Sequence, residues 1–456
     1  MVTLRRIPAP TTARMSAPPA VPVAEYERRL AALAGATDAE WLVVYGDREH
    51  AANLAFLCGF DPRFEEALLL LGPGGKRALV AGNEGMGYLA AATVPLDAIL
   101  CQSLSLMGQP RDPASRLDAL LRRFGIAASA RVGVVGWKYL EAEESDDPAA
   151  PAFVPAFLVN ALRAVVGPQG RLEDATPALT HPTRGLKSHN SAAQIAAFAW
   201  GAERASDAVL RVVRGTRPGM TEHEAAQLIG YQGDPLSCHV MLTASSGAPV
   251  VGLRSPSARP IAEGAGITTA IGFGGGLCAR AGLLRDAPDQ QFAERYVTPY
   301  FGALAAWWQS LRIGATGGDI HAAVMRALAG APFAPLLNPG HLVSIDEWSH
   351  TPIRAGSNEP IASGMAFQCD IIPAPLPDGY ALNCEDTVAV ADAALRAEIR
   401  AGYPELWAQI EARRAHMRQA LGLALPDELL PLSSAPAYLP PFWLASDLVC
   451  TLAPER

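Results

Sequence analysis

A polar stretch holding Pro182 and Gly185, HPTRGLKSHN at 181–190, separates two segments with different hydrophobic rhythms. Before it, short apolar β-runs alternate with helical segments. AEYERRLAALA (24–34) reads as an amphipathic helix and WLVVYG (41–46) as a buried strand. ALLLLG (67–72) and ALVAG (78–82) flank a PGGK turn (73–76) and read as a hairpin, and RVGVVG (131–136) supplies another strand. That alternation predicts an α/β domain over about residues 24–180.

After the break the helices lengthen. Ser191 opens a helix whose apolar positions Ile195, Phe198, Ala202, Ala205, Val209 and Val212 recur at helical spacing up to Gly215. Thr221 and Glu224 form a capping box for the next helix. An aromatic-rich helix is expected over 290–312, and another from Asp319. Strand-like runs lie between and after these helices, at 239–244, 267–273, 365–372 and 381–391. This is the pattern of a separate α+β domain. At 456 residues the chain exceeds a single ordinary core. We expect a flexible arm at 1–23, domains at 24–183 and 184–430, and a tail at 431–456 too rich in proline for regular structure. Phe442 and Trp443 imply that the tail docks on something, this chain or a partner.

Composition narrows the function. A net charge of −8 gives no basic footprint, so nucleic acid is not expected as a partner. No apolar run reaches membrane-spanning length, and Arg5 and Arg6 are not followed by the apolar segment of a secretory signal. The seven scattered cysteines form no CxxC pair and read as buried free thiols in a reducing cytoplasm. Gly274, Gly275 and Gly276 lack the helix signature and lysine of a phosphate loop, so a tight β-turn is the better reading. Asp346 and Glu347 read as solvated loop charges, and His239 opens an apolar strand, where a core role or a substrate contact is open.

The ordered series GLKSHN…GTRPGMTEHEAA, TASSGAPVVG, ITTAIGFGGG, LRIGATGGDIH, NPGH, SGMAFQCDIIP and CEDTVAVAD resembles the catalytic domain of the creatinase/prolidase/methionine aminopeptidase family. The segment WLVVYGDREHAANLAFLCGF resembles that family's N-terminal domain, and the likeness spans about residues 25–395. It implies an α+β protein with a C-terminal pita-bread domain and an N-terminal α/β domain of creatinase type.

Active members of the family hold two divalent metals with two Asp, one His and two Glu. Matched residue by residue, the His falls on His341, the two Glu on Asp370 and Glu385, and the two Asp on Ala270 and a position at or near Ala281. From Ile267 to Arg285 no acidic residue occurs. The family's second, substrate-facing His is nearest His350, at a spacing about two residues longer. Its upstream His corresponds to Arg254.

The loss of both Asp resembles creatinase, which cleaves a C–N bond without metal. The resemblance therefore implies a metal-independent hydrolase of an amide or amidine bond in a small polar substrate. His341 or His350 would move a proton, Asp370 and Glu385 would bind a cationic or N–H group, and Arg254 and Arg280 would orient a substrate carboxylate. No cofactor is expected on this reading, with a single ion on His341, Asp370 and Glu385 as the alternative. Two rivals stand beside it: a divergent Xaa-Pro dipeptidase or aminopeptidase using metal, and a non-catalytic pita-bread scaffold. The family's habit implies a homodimer acting on a small-molecule or dipeptide substrate.

Overall fold

The structure, a computed structural model, describes residues 1–8, 10 and 15–453. Parts of the expected arm (9 and 11–14) and the end of the expected tail (454–456) lie outside the described residues. Two compact units are present: Val21–Ser188, and Met1–Ala20 together with His189–Arg456.

The Val21–Ser188 unit is built on a six-stranded sheet in the order Asp97–Leu100, Arg77–Ala81, Ala67–Leu71, Trp41–Gly46, Arg131–Val135, Arg171–Asp174. The two central pairings that include Ala67–Leu71 are antiparallel and the other three are parallel. Trp41–Gly46 and Ala67–Leu71 are buried along their whole length, which explains their unbroken apolar sequences. The helix Val23–Gly35 follows the expected amphipathic segment closely.

The second unit carries a seven-stranded antiparallel sheet. Its strands are β1 (Leu236–Ser245), β2 (Gly266–Phe273), β3 (Gly276–Leu283), β4 (His341–Leu342), β5 (Ala366–Cys369), β6 (Asn383–Val390) and β7 (Leu429–Pro431). They lie in the order β4-β5-β6-β3-β2-β1, with β7 paired to β6. The helix Ala192–Gly215 is capped by the Ser191 hydroxyl, which accepts from the Gln194 amide at 3.3 Å. It packs so closely on the β2–β3 hairpin that side chains there are excluded. A Cβ on Gly201 would come within 2.5 Å of the Gly274 carbonyl, and one on Gly275, at φ +84°, within 2.0 Å of the Phe198 ring. The three glycines are thus a tight hairpin turn pressed against a helix.

The aromatic segment forms a helix at Thr298–Ser310, preceded by a π-turn at Ala293–Val297. Trp307 and Trp308 are completely buried there and anchor the main core, each worth roughly 2–3 kcal/mol of hydrophobic burial.

Both chain ends correct the expectation of irregular termini. Val2–Arg6 pairs antiparallel with Leu448–Leu452, from Val2 opposite Leu452 to Arg6 opposite Leu448. Val2 and Leu4 pack against the main core, so the alternation VTLRR is a half-buried strand whose partner lies at the far end of the chain. The proline-rich segment docks on its own unit, with Tyr438, Leu439, Phe442 and Trp443 buried. The prolines exclude a long strand but not burial. All seven cysteines are free, six of them buried and Cys238 half-buried. No helix among the described residues is long and apolar enough to cross a membrane.

Candidate metal and substrate site

Sheet register brings the site together. His341 on β4 is opposite Gln368 on β5, which is opposite Thr387 on β6. Residues directly opposite share a face, as do residues two apart on one strand. His341, Gln368, Asp370, Glu385 and Thr387 therefore share one face of the sheet. One ligand atom from each of His341, Asp370 and Glu385 lies within 4.8 Å of the others, and all three residues are buried.

The turn before His341 explains its placement. Gly340 has φ +105°, a region that disfavours side chains, and a Cβ there would sit 2.8 Å from both the Gln368 carbonyl and the Trp307 Nε1. Trp307 Nε1 donates to the Pro339 carbonyl at 2.7 Å, tying the turn to the buried aromatic helix. The His341 ring stacks on Trp348, with centroids 4.0 Å apart and planes 21° from parallel. Its Nδ1 lies 3.2 Å from the Leu342 carbonyl, which only accepts, so Nδ1 carries the hydrogen. The lone pair of the neutral ring then sits on Nε2.

Nε2 is 3.1 Å from Glu347 Oε1, within ion-pair distance, and has no other hydrogen-bond partner. Asp370 Oδ1 is likewise buried without one. Glu385 is better held: Gln368 Nε2 donates to its Oε1 at 3.2 Å and to the Leu277 carbonyl at 2.9 Å, while Thr387 Oγ1 donates to Gln368 Oε1.

Crowding of like charge shapes the protonation. Burial, reinforced by the Glu347 charge and opposed by His341, pushes Asp370 up to about 6. Burial and then the charges of Asp370 and Glu347 hold Glu385 well above the usual carboxylate range. Burial disfavours a charged His341, yet the carboxylates of Glu347 and Asp370 outweigh it and raise its pKa. Carboxylates converging on one imidazole, with two orphaned donor atoms, are the electrostatic setting a dication relieves.

Next to this cluster the sheet face is apolar. Met241, Ala270, Ala279 and Glu385 form one cross-strand row over β1, β2, β3 and β6. Met241, Ala270, Leu277 and Ala279 pack as a small hydrophobic cluster of their own. Ala270 and Ala281, which the family resemblance matched to the two Asp, are both buried.

The other expected residues lie elsewhere. Arg280 neighbours Ala279 along β3 and so points to the opposite face. It is wholly buried, bonded to Asp386 and to the carbonyls of Tyr438, Ala435 and Glu385. It is a structural clamp on the docked tail, not a substrate ligand. Arg254 is exposed, and its carbonyl accepts from the Leu242 amide. His239 is exposed, with Nε2 3.2 Å from the Leu253 carbonyl, which corrects the core alternative. His350 is half-buried, its carbonyl bonded to the amide of Leu342 and its Nδ1 accepting from the Thr351 amide. Glu347 was missed: read as a solvated loop charge, it lies 3.1 Å from His341 Nε2. A carboxylate six positions beyond a Pro-Gly-His turn is the signal that marks it.

Comparison with solved structures identifies the fold. A dipeptidase, PepE, from Mycobacterium ulcerans is similar over 83% of this chain and 95% of its own, at 23% identity and TM-score 0.58. A prolidase from Thermococcus sibiricus covers 91% of this chain and 98% of its own, at 16% identity and TM-score 0.64. A prolidase from Pyrococcus horikoshii covers 80% and 95%, at 13% identity and TM-score 0.62. The chain has the pita-bread fold of the creatinase/prolidase structures. No protein-family model and no curated protein sequence matches it.

On this pita-bread sheet the expectation of a protein without a metal site is corrected. It rested on the two missing Asp, but the remaining His341, Asp370 and Glu385 converge within ligand distance, with orphaned atoms among them. The donors fit one divalent cation. They do not fit two, because the hairpin beside them offers Ala270 and Ala281.

Proposed function

We propose that this protein hydrolyses the C–N bond of a small, dipeptide-sized substrate, with one divalent cation held by His341, Asp370 and Glu385. The observation that carries this reading is the convergence of three buried donors on the face of a pita-bread sheet, two of them with unbonded polar atoms. The named dipeptidase and prolidases of the same fold support the substrate class.

A divalent cation in such a site supplies Lewis acidity toward a carbonyl oxygen and acidifies bound water. The chain's own residues do the rest. Trp348 and the Leu342 carbonyl fix the plane and tautomer of His341, so that Nε2 is the donor. Gln368, held by Thr387 and the Leu277 carbonyl, fixes the orientation of Glu385. The apolar patch of Met241, Ala270, Leu277 and Ala279 borders Glu385 and excludes charge, which favours an apolar side chain or ring in the substrate.

A panel of dipeptides, including Xaa-Pro pairs, with small amidines beside them, tests this on protein stripped of metal and then reloaded with Mn²⁺. The expected result is turnover of dipeptides by the loaded protein alone, abolished in Glu385→Gln. Loaded wild-type protein that turns over no dipeptide contradicts the reading.

A further inference from the structure

A dication bound by one imidazole and two carboxylates lacks the charge that the two missing Asp would bring. A third carboxylate, from a different element, lies beside His341. Glu347 lies in the loop after β4, and its Oε1 is 3.1 Å from His341 Nε2. The two atoms lie within ion-pair distance of each other. With Nδ1 carrying the hydrogen, a neutral His341 presents its lone pair on the side of the carboxylate oxygen, so that both atoms can donate to one cation. Glu347 is about one-fifth exposed, so it stands on the solvent side of the buried His341.

We infer that Glu347 is the fourth protein ligand of the cation site, replacing with a loop carboxylate the charge absent at Ala270 and Ala281. This rests on the single-cation reading above. The donor set is then one imidazole and three carboxylates, a hard, oxygen-rich site that suits Mn²⁺. The same contact explains why Trp348 is stacked on His341: the loop turn that aims Glu347 inward lays the next side chain over the ring.

The test is calorimetric titration of the stripped, full-length protein with Mn²⁺ alone, paired with water-proton relaxation of the Mn²⁺-loaded protein. Wild type is expected to bind one Mn²⁺ per chain. Glu347→Gln is expected to bind it roughly tenfold more weakly or worse. The number of Mn²⁺-bound waters should rise by one in the variant, since water takes the vacated position. A residue that merely orients His341 leaves that number unchanged, and such a result overturns the inference. Equal affinity in wild type and variant overturns it too, while leaving the three-residue site intact. Absence of Mn²⁺ binding in wild type overturns the cation reading itself, and the inference with it. Glu347→Asp, which keeps the charge but withdraws the oxygens by one methylene, carries the same comparison if the amide variant does not fold.

Discussion

Arg280 and Asp386 form a completely buried ion pair, with Arg280 Nη2 2.9 Å from both carboxylate oxygens. The pair sits on the face of the sheet opposite His341, Asp370 and Glu385. It also ties the proline-rich segment down: Arg280 donates to the carbonyls of Ala435 and Tyr438, and Asp386 accepts from the Ala437 amide at 2.8 Å. One sheet therefore carries the candidate cation site on one face and the tail clamp on the other.

Removing either partner leaves an uncompensated buried charge. Arg280→Ala and Asp386→Asn should each lower stability by about 3–5 kcal/mol in urea denaturation. Both should make the segment near Tyr438 accessible to protease, while Mn²⁺ affinity in the folded fraction stays close to wild type. A loss of Mn²⁺ affinity with little loss of stability would instead place Arg280 in the site.

Gly340 sets the position of His341 through a backbone conformation that side chains resist. Gly340→Ala should cost about 1–3 kcal/mol of stability and weaken Mn²⁺ binding, because the added Cβ displaces either the Gln368 carbonyl or Trp307. Thermal melts with and without Mn²⁺ check this. Unchanged affinity would show that the turn does not govern the ligand.

Much of this arrangement was legible in the sequence because it is local. The capping box of Thr221 and Glu224 is present as read, and the helix opened by Ser191 runs to Gly215. The strands at 41–46 and 267–273 lie within a residue of their expected bounds. The family resemblance picked out His341, Asp370 and Glu385, and these three converge in the fold.

What was not legible depends on distant pairing. Nothing near Val2–Arg6 indicates a partner at Leu448–Leu452. Arg280 looked like a substrate ligand because its partner Asp386 is more than a hundred positions away and the face it points to depends on register. Glu347 was hidden by its loop, which has no periodicity to show which side chain turns inward.

The missing Asp positions offer a gain-of-site experiment. Ala270 and Ala281 are buried on the strands beside Glu385, and Ala270 shares a cross-strand row with it. The double variant Ala270→Asp/Ala281→Asp should be destabilised without metal, since it buries two more carboxylates. It should regain stability with Mn²⁺ and bind two ions per chain in place of one. A stoichiometry that stays at one would mean that the hairpin does not face the cation.

Metal content of the native protein, purified without chelator or polyhistidine tag and measured by mass spectrometry, tests the central claim most directly. One divalent ion per chain is predicted, falling to background in His341→Ala. A content near zero in wild type, or two ions per chain, would contradict a single-cation site built from His341, Asp370 and Glu385.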